Sequence, residues 1–188
     1  MSKLIHIQLF LIFFFQVLFS QSVEVPVDIQ FPIFLKILTF DRKLQQRGKN
    51  GLSMMILYQK NYKPSYSIRE EINKLLNQLA INRIESIPIK YNFVDIDEVN
   101  LHAALIKYHT NLIYICPLRG VALQTITQTT KELGVLSFTG VPEYVEEGVS
   151  VGIELKGEKP HIMINITSAK AEQAEFSSQL LRVSKILE

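Results

Sequence analysis

A chain of 188 residues, 47% hydrophobic and 20% charged, has the material for one domain whose core needs no metal or disulfide staple. A formal net charge of +2, spread over scattered lysines and arginines, excludes a basic stripe, so no nucleic-acid partner is expected. Cys116 is the single cysteine, which excludes an intramolecular disulfide.

Residues 1–22 begin with Lys3 and run through Leu9 to Phe15 and Val17 to Phe19 almost without a polar break. Ser20-Gln21-Ser22 puts small residues at the minus-three and minus-one positions of a cut after Ser22, and a cut after Ser20 is nearly as well supported. The run is interrupted by Gln8 and Gln16 and is short of the ~20 residues that span a bilayer. It reads as a cleavable secretory signal, with a retained anchor as the alternative, and leaves residues 23–188 as the exported mature domain. No cysteine near the cut offers a site for lipid attachment.

Residues 26–42 carry Phe31, Phe34, Leu35 and Leu38 at helical spacing, which predicts a helix with Pro32 in its first turn or at a break. A polar turn follows, Arg47-Gly48-Lys49-Asn50-Gly51, and the apolar run 52–58 reads as a buried strand. Ser67 and Glu70 match a capping box, and Ile68, Ile72, Leu75, Leu76 and Leu79 share one face of the helix it opens. Tyr58, Tyr62 and Tyr66 then fall around Pro64 in a loop, as an apolar lid or a partner-contact patch. Residues 87–94 alternate as a strand with Pro88 near its start or on an edge, and a helix begins near Asp97. The unrelieved apolar run 112–116 predicts a central strand covered on both faces. Gly120 opens a helix through Ala122, Ile126 and Leu133, Gly134 stops it as a left-handed cap, and residues 135–139 return as a strand.

The last third differs. Val149, Val151, Ile153 and Leu155 share a face, as do Ile162, Ile164 and Ile166, and the short turn at residues 156–159 requires antiparallel pairing. A final helix, capped by Thr167 or Ser168, places Ala169, Phe176, Leu180, Val183 and Leu187 along one stripe. Strand and helix alternation with crossovers predicts an α/β fold: a single-domain, open three-layer sandwich. Its sheet is mostly parallel, with a C-terminal antiparallel hairpin and the final amphipathic helix.

Chemistry is scarce. His102 and His109, seven apart on one predicted helix, have backbones separated by roughly 10 Å, too far for one metal to bridge readily. Asp95-Ile96-Asp97-Glu98 lacks the glycine and the distant glutamate of a calcium loop and reads as a helix start with Asp97 as cap. Cys116 reads as a buried apolar thiol. There is no serine-nucleophile elbow and no phosphate-binding loop, so neither catalysis nor a cofactor or metal is expected. Leu118-Arg119-Gly120-Val121 presents a cation and a glycine where a strand turns into a helix, able to receive an anion, although an ordinary turn is the plainer reading. Asn165-Ile166-Thr167 fits a glycosylation acceptor, yet at a strand end Asn165 is better read as a hydrogen bonder joining strand to helix.

Tyr144 followed by Gly148, the step Ile164-Asn165, and Ser177-Ser178 followed by Leu180-Leu181 occur in an order that resembles the C-terminal half of the YfiR (HmsC) family. These are small exported regulators that, in the best-known cases, repress a membrane diguanylate cyclase from the periplasmic side. Two departures stand out. Glu172-Gln173-Ala174 replaces the alanine-glycine-leucine run often found before the serine pair, and the disulfides that can brace family members cannot form here. The resemblance implies a non-enzymatic periplasmic protein that binds the exported domain of an inner-membrane receptor and modulates cyclic di-GMP signalling. The alternative is a single-lobe periplasmic small-molecule binding protein feeding a transporter or sensor kinase; an unusual hydrolase using His102 or Asp97 is a third reading. Because ligands of open α/β sheets gather at the carboxyl ends of strands, the candidate partner or ligand surface is Tyr58, Arg119, Gly120, Thr139, Pro142 and Tyr144.

Overall fold

A computed structural model describes residues 25–188, so the signal expected over residues 1–22 lies outside the described residues. Among the described residues no helix is long and apolar enough to cross a membrane. The chain runs α1 (Val27–Leu38), α2 (Leu44–Arg47), β1 (Leu52–Tyr58), α3 (Lys63–Leu79), β2 (Arg83–Ile84) and β3 (Ile87–Asp95). A short 3-10 turn at Ile96–Glu98 leads to α4 (Leu101–Lys107), β4 (Leu112–Ile115), α5 (Leu123–Leu133) and β5 (Leu136–Thr139). The last part is α6 (Pro142–Glu146), β6 (Val151–Lys156), β7 (Lys159–Asn165), α7 (Ile166–Ala171), α8 (Ser178–Arg182) and β8 (Lys185–Leu187).

One eight-stranded sheet has the order β2-β3-β1-β4-β5-β6-β7-β8. Strands β3, β1, β4, β5 and β6 pair with one another in parallel, β7 runs antiparallel to β6, and the two-residue β2 runs antiparallel to β3. Alternation along each strand divides the core between the two faces of the sheet. Met54, Ile56, Tyr114 and Phe138 meet Phe31, Phe34 and Ile72 from α1 and α3, while Met55, Leu57, Ile113 and Ile115 meet Leu105, Leu123 and Ile126 from α4 and α5. The first face is aromatic: Phe34 lies with ring centroids 5.8 Å from Tyr114 and 5.5 Å from Phe138. Each such buried side chain contributes roughly 1.5–3 kcal/mol. The α/β three-layer arrangement expected from the sequence is present.

Several local expectations are corrected. Pro32 lies inside α1, where fully buried Phe31 and Phe34 on either side hold the helix across the missing N–H. The capping box at Ser67 is not used: α3 starts at Lys63 with Pro64 in its first turn, so Tyr66 is helical and not in a loop. Leu79, expected on the buried face, is 53% exposed. The helix expected near Asp97 begins at Leu101, with the Asn100 side chain accepting from the Ala103 N–H at 3.0 Å, and Asp95 caps the 3-10 turn by accepting from the Asp97 N–H at 3.2 Å. The helix expected to open at Gly120 begins at Leu123.

The final amphipathic helix is the largest correction. Gln173 adopts a left-handed φ of 63°, and the Ala174 N–H reaches back to the Ala169 carbonyl at 2.8 Å, which ends α7. Phe176 then bridges Asp41, Ser177 caps α8, and Lys185–Leu187 adds a strand parallel to β7. The cap of α7 is Asn165, not Thr167 or Ser168, and Val183 is 62% exposed.

Candidate functional site

Four strands end together at the carboxyl edge, where Tyr58 pairs in register with Asp95 and Ile115 pairs with Leu57 and Thr139. From β1 the chain passes to α3 on one face, and from β4 to α5 on the other, so the gap between β1 and β4 is the switch point where open α/β sheets hold ligands. Here Gln59 closes that gap. Its Nε2 donates to the Arg119 carbonyl at 3.2 Å and to Asp97 Oδ1 at 3.2 Å, and its Oε1 accepts from the Arg119 N–H at 2.9 Å. Its own N–H donates to Ser65 Oγ at 2.9 Å, which ties the stitch to the first turn of α3.

Around the stitch lie tyrosines and arginines. The Tyr144 hydroxyl accepts from the Leu118 N–H at 2.8 Å and donates to the Leu118 carbonyl at 3.2 Å, clamping α6 to the loop after β4. Burial raises the Tyr144 phenol above its ordinary range, the Leu118 hydrogen bond opposes this, and nearby Tyr62 adds to the rise. Arg69 lies 5.5 Å from the Tyr58 ring centroid and 4.7 Å from that of Phe93, and the Tyr58 and Tyr66 rings are 6.3 Å apart. Tyr66 is 41% exposed.

Of the six expected surface residues, Arg119 and Gly120 are exposed, and Tyr58, Pro142 and Tyr144 are half-buried along this edge. Gly120 holds a φ of 69° with open space where a side chain would stand. Thr139 must be withdrawn from the surface: it is fully buried, its Oγ1 donating to the Ile115 carbonyl at 3.0 Å and accepting from the Val141 N–H at 3.1 Å. Gly148 is buried at φ 106°, and Asn165 joins β7 to α7 and α6 by accepting from the Ser168 N–H at 2.9 Å and donating to the Val145 carbonyl at 3.1 Å. Ser177 accepts from the Leu180 N–H at 3.4 Å, Leu180 is buried, Leu181 is half-buried against the core and Ser178 is exposed.

His102 and His109 do not share a helix, because His109 lies beyond the end of α4 in a left-handed turn with φ 49°. His161 faces Glu154 at 3.5 Å, alongside Lys185 at 3.1 Å from the same carboxylate. Among the described residues no group of three or more His, Cys, Asp or Glu is placed to hold a metal. Burial pushes the Cys116 thiol up, with Arg69 opposing, which disfavours the thiolate.

The amino edge of the same sheet carries a feature that local sequence patterns did not reveal. Arg47 is no part of an exposed turn: its guanidinium donates to the carbonyls of Asn111 at 3.2 Å, Gly134 at 2.9 Å and Glu172 at 2.9 Å, with Asp41 at 3.6 Å. Glu172 is fully buried, with Oε1 accepting from Thr130 Oγ1 at 2.6 Å and Ser137 Oγ at 2.8 Å. Its Oε2 accepts from the Ser137 N–H at 2.8 Å and from the Ser150 hydroxyl. Burial raises the Glu172 carboxyl and these hydrogen bonds pull it back; burial lowers the Arg47 guanidinium, against the pull of Asp41 and Glu172. The one sequence signal was the departure at residues 172–174, a carboxylate where apolar residues were expected.

The YfiR/HmsC-like family model matches residues 35–185. The chain belongs to the YfiR/HmsC-like family. That family is regulatory, non-catalytic and periplasmic. No protein of curated function matches the sequence. Among solved structures, the chain is similar to an ABC domain in complex with L-Trp from Streptococcus pneumonia, at 11% identity and a TM-score of 0.58, covering 86% of this chain and 60% of that one. A conserved domain protein from Vibrio cholerae O1 biovar eltor gives 12% identity and a TM-score of 0.55, over 87% of this chain and 60% of that one. The ligand-free, open form of a substrate binding protein with adhesive properties from Clostridium difficile gives 12% and 0.53, over 78% and 57%. The YfiR/HmsC-like chain thus spans about 60% of the length of these structures, and the likeness shows the fold alone.

Proposed function

We propose that this member is exported by a cleaved leader at residues 1–22 and acts in the periplasm as residues 23–188, without catalysis. It binds the exported segment of an inner-membrane receptor, a diguanylate cyclase being the one the family favours. Binding one receptor state better than the other shifts the receptor's equilibrium, and a signal that weakens binding reverses the shift. The observation carrying this reading is the stitched switch point: Gln59 hydrogen-bonds across the gap between β1 and β4 where open α/β sheets hold ligands, beside a tyrosine- and arginine-bearing surface of the composition that dominates protein interfaces. The contact residues are Tyr58, Tyr66, Arg119, Gly120, Pro142 and Tyr144.

A second reading, a single-lobe solute binder, draws on neighbours described as a substrate binding protein and a domain holding L-Trp. Co-purification from detergent-solubilised envelope, using the mature protein as bait, separates the two. Recovery of a membrane signalling receptor supports the proposal. Recovery of none, with a saturable thermal shift by one solute that Gln59→Ala alters, would favour the second reading.

A further inference from the structure

At the opposite end of the sheet, the amino ends of β1 and β4 and the start of β3 border an open cavity of about 620 Å3. Cavities of this size hold small organic ligands. Arg47, Lys49, Lys90 and His109 line it, and among the described residues no carboxylate does. Arg47 has little left to donate there, because Asp41 and three backbone carbonyls already engage it. Lys49 and Lys90 are exposed and form no ion pair among the described residues, so their charge faces the cavity without an internal counter-ion. Pro88 and Ile89 supply apolar wall.

The Thr110 N–H closes back on the Leu105 carbonyl at 2.9 Å, which makes His109 the left-handed residue of a helix-ending motif. The same motif ends α5, where the Val135 N–H reaches the Thr130 carbonyl at 2.9 Å, and there glycine occupies the left-handed position at Gly134. A left-handed turn alone identifies no site, since Ala80, Glu85 and Gln173 also have positive φ, Gln173 in the same motif at the end of α7. His109 stands in that conformation on the wall of this cavity, so replacing it with glycine removes the side chain without straining the turn.

We propose that this cavity binds a small organic anion bearing a phosphate or carboxylate, its charged group held by Lys49, Lys90 and His109 and its short apolar body against Pro88 and Ile89. The proposal does not depend on the receptor, because the cavity lies at the edge of the sheet opposite the proposed contact surface. It is tested by calorimetric titration of the purified protein at low ionic strength with phenyl phosphate, phenylacetate and inorganic phosphate. One saturable site for an aromatic anion is expected, tightest for phenyl phosphate if the natural group is a phosphate and for phenylacetate if it is a carboxylate. Lys90→Gln and His109→Gly should each weaken binding tenfold or more. His109→Gly should leave the melting temperature unchanged or raised, so lost binding cannot be ascribed to a lost fold. Absence of saturable binding by all three probes at millimolar concentration, or binding that survives either substitution, overturns the proposal. Inorganic phosphate binding as tightly as phenyl phosphate overturns the organic body assigned to the ligand.

Discussion

The two ends of the sheet are held by different chemistry. At the amino edge, buried Arg47 and Glu172 tie α2, α7 and the entrances to β4 and β5 into one network, with Asp41 as counter-ion. At the carboxyl edge, half-buried Gln59 and Tyr144 join loops through hydrogen bonds beside buried Asp95, with Arg119 and Tyr66 open to solvent. Bonds closed away from water are expensive to break, whereas those near water can be exchanged. The amino edge is the more costly of the two to disturb, and the proposed partner contact falls on the edge whose hydrogen bonds lie nearer water.

The largest expected effect comes from breaking the amino-edge lock. Arg47→Met should lower unfolding free energy by about 3–5 kcal/mol, because it leaves Asp41 buried and unpaired and removes the donor from three carbonyls. Urea denaturation reads this directly, and Arg119→Met, run alongside, should leave the midpoint in place. Equal losses in both would erase the distinction between the edges.

At the carboxyl edge, Tyr144→Phe removes both hydrogen bonds to Leu118 from a half-buried ring. The fold should lose only about 1 kcal/mol. Amide exchange at Leu118 should accelerate while that at Ser137, under Glu172, stays slow.

The smallest change in magnitude concerns pH. Burial raises the carboxyl of Glu172 in the folded protein, so its contribution is fully present below the ordinary glutamate range and is lost as pH climbs through the raised value. Oε1 faces only hydroxyls, from Thr130 and Ser137, and these can turn to accept. An acid proton or the amide of a glutamine fits there. Glu172→Gln should therefore stay within about 1 kcal/mol of the parent at low pH and remove this decline at higher pH. A parent and a variant with parallel stability-against-pH curves would show that Glu172 does not titrate in this way.

How much of this was legible follows the range of the interactions. β1, β4 and the hairpin could be read from the sequence because the apolar runs and alternation at 52–58, 112–115 and 151–165 are local signals. The break in the expected final helix has no local signal, because the apolar spacing continues across Gln173 with no glycine or proline to mark the left-handed turn there, and the Gln173 side chain lies over Gly134, where a Cβ would stand 2.5 Å from its Nε2. Arg47 looked like a turn residue, since its partners Asn111, Gly134 and Glu172 lie 64 to 125 positions away. Gln59 gave no local signal either, because its amide is matched by Arg119, 60 residues on. Thr139 was rightly placed at a strand end, but its hydroxyl is directed to backbone and not to solvent.

The most direct test of the account is the affinity of the captured receptor's periplasmic segment for three proteins: the parent, a carboxyl-edge variant carrying Tyr66→Ser and Arg119→Glu, and the amino-edge variant Lys90→Gln. The carboxyl-edge variant should bind at least tenfold more weakly while folding normally, and Lys90→Gln should bind as the parent does in ligand-free buffer. Unchanged binding by the carboxyl-edge variant, or a loss confined to Lys90→Gln, would contradict the account.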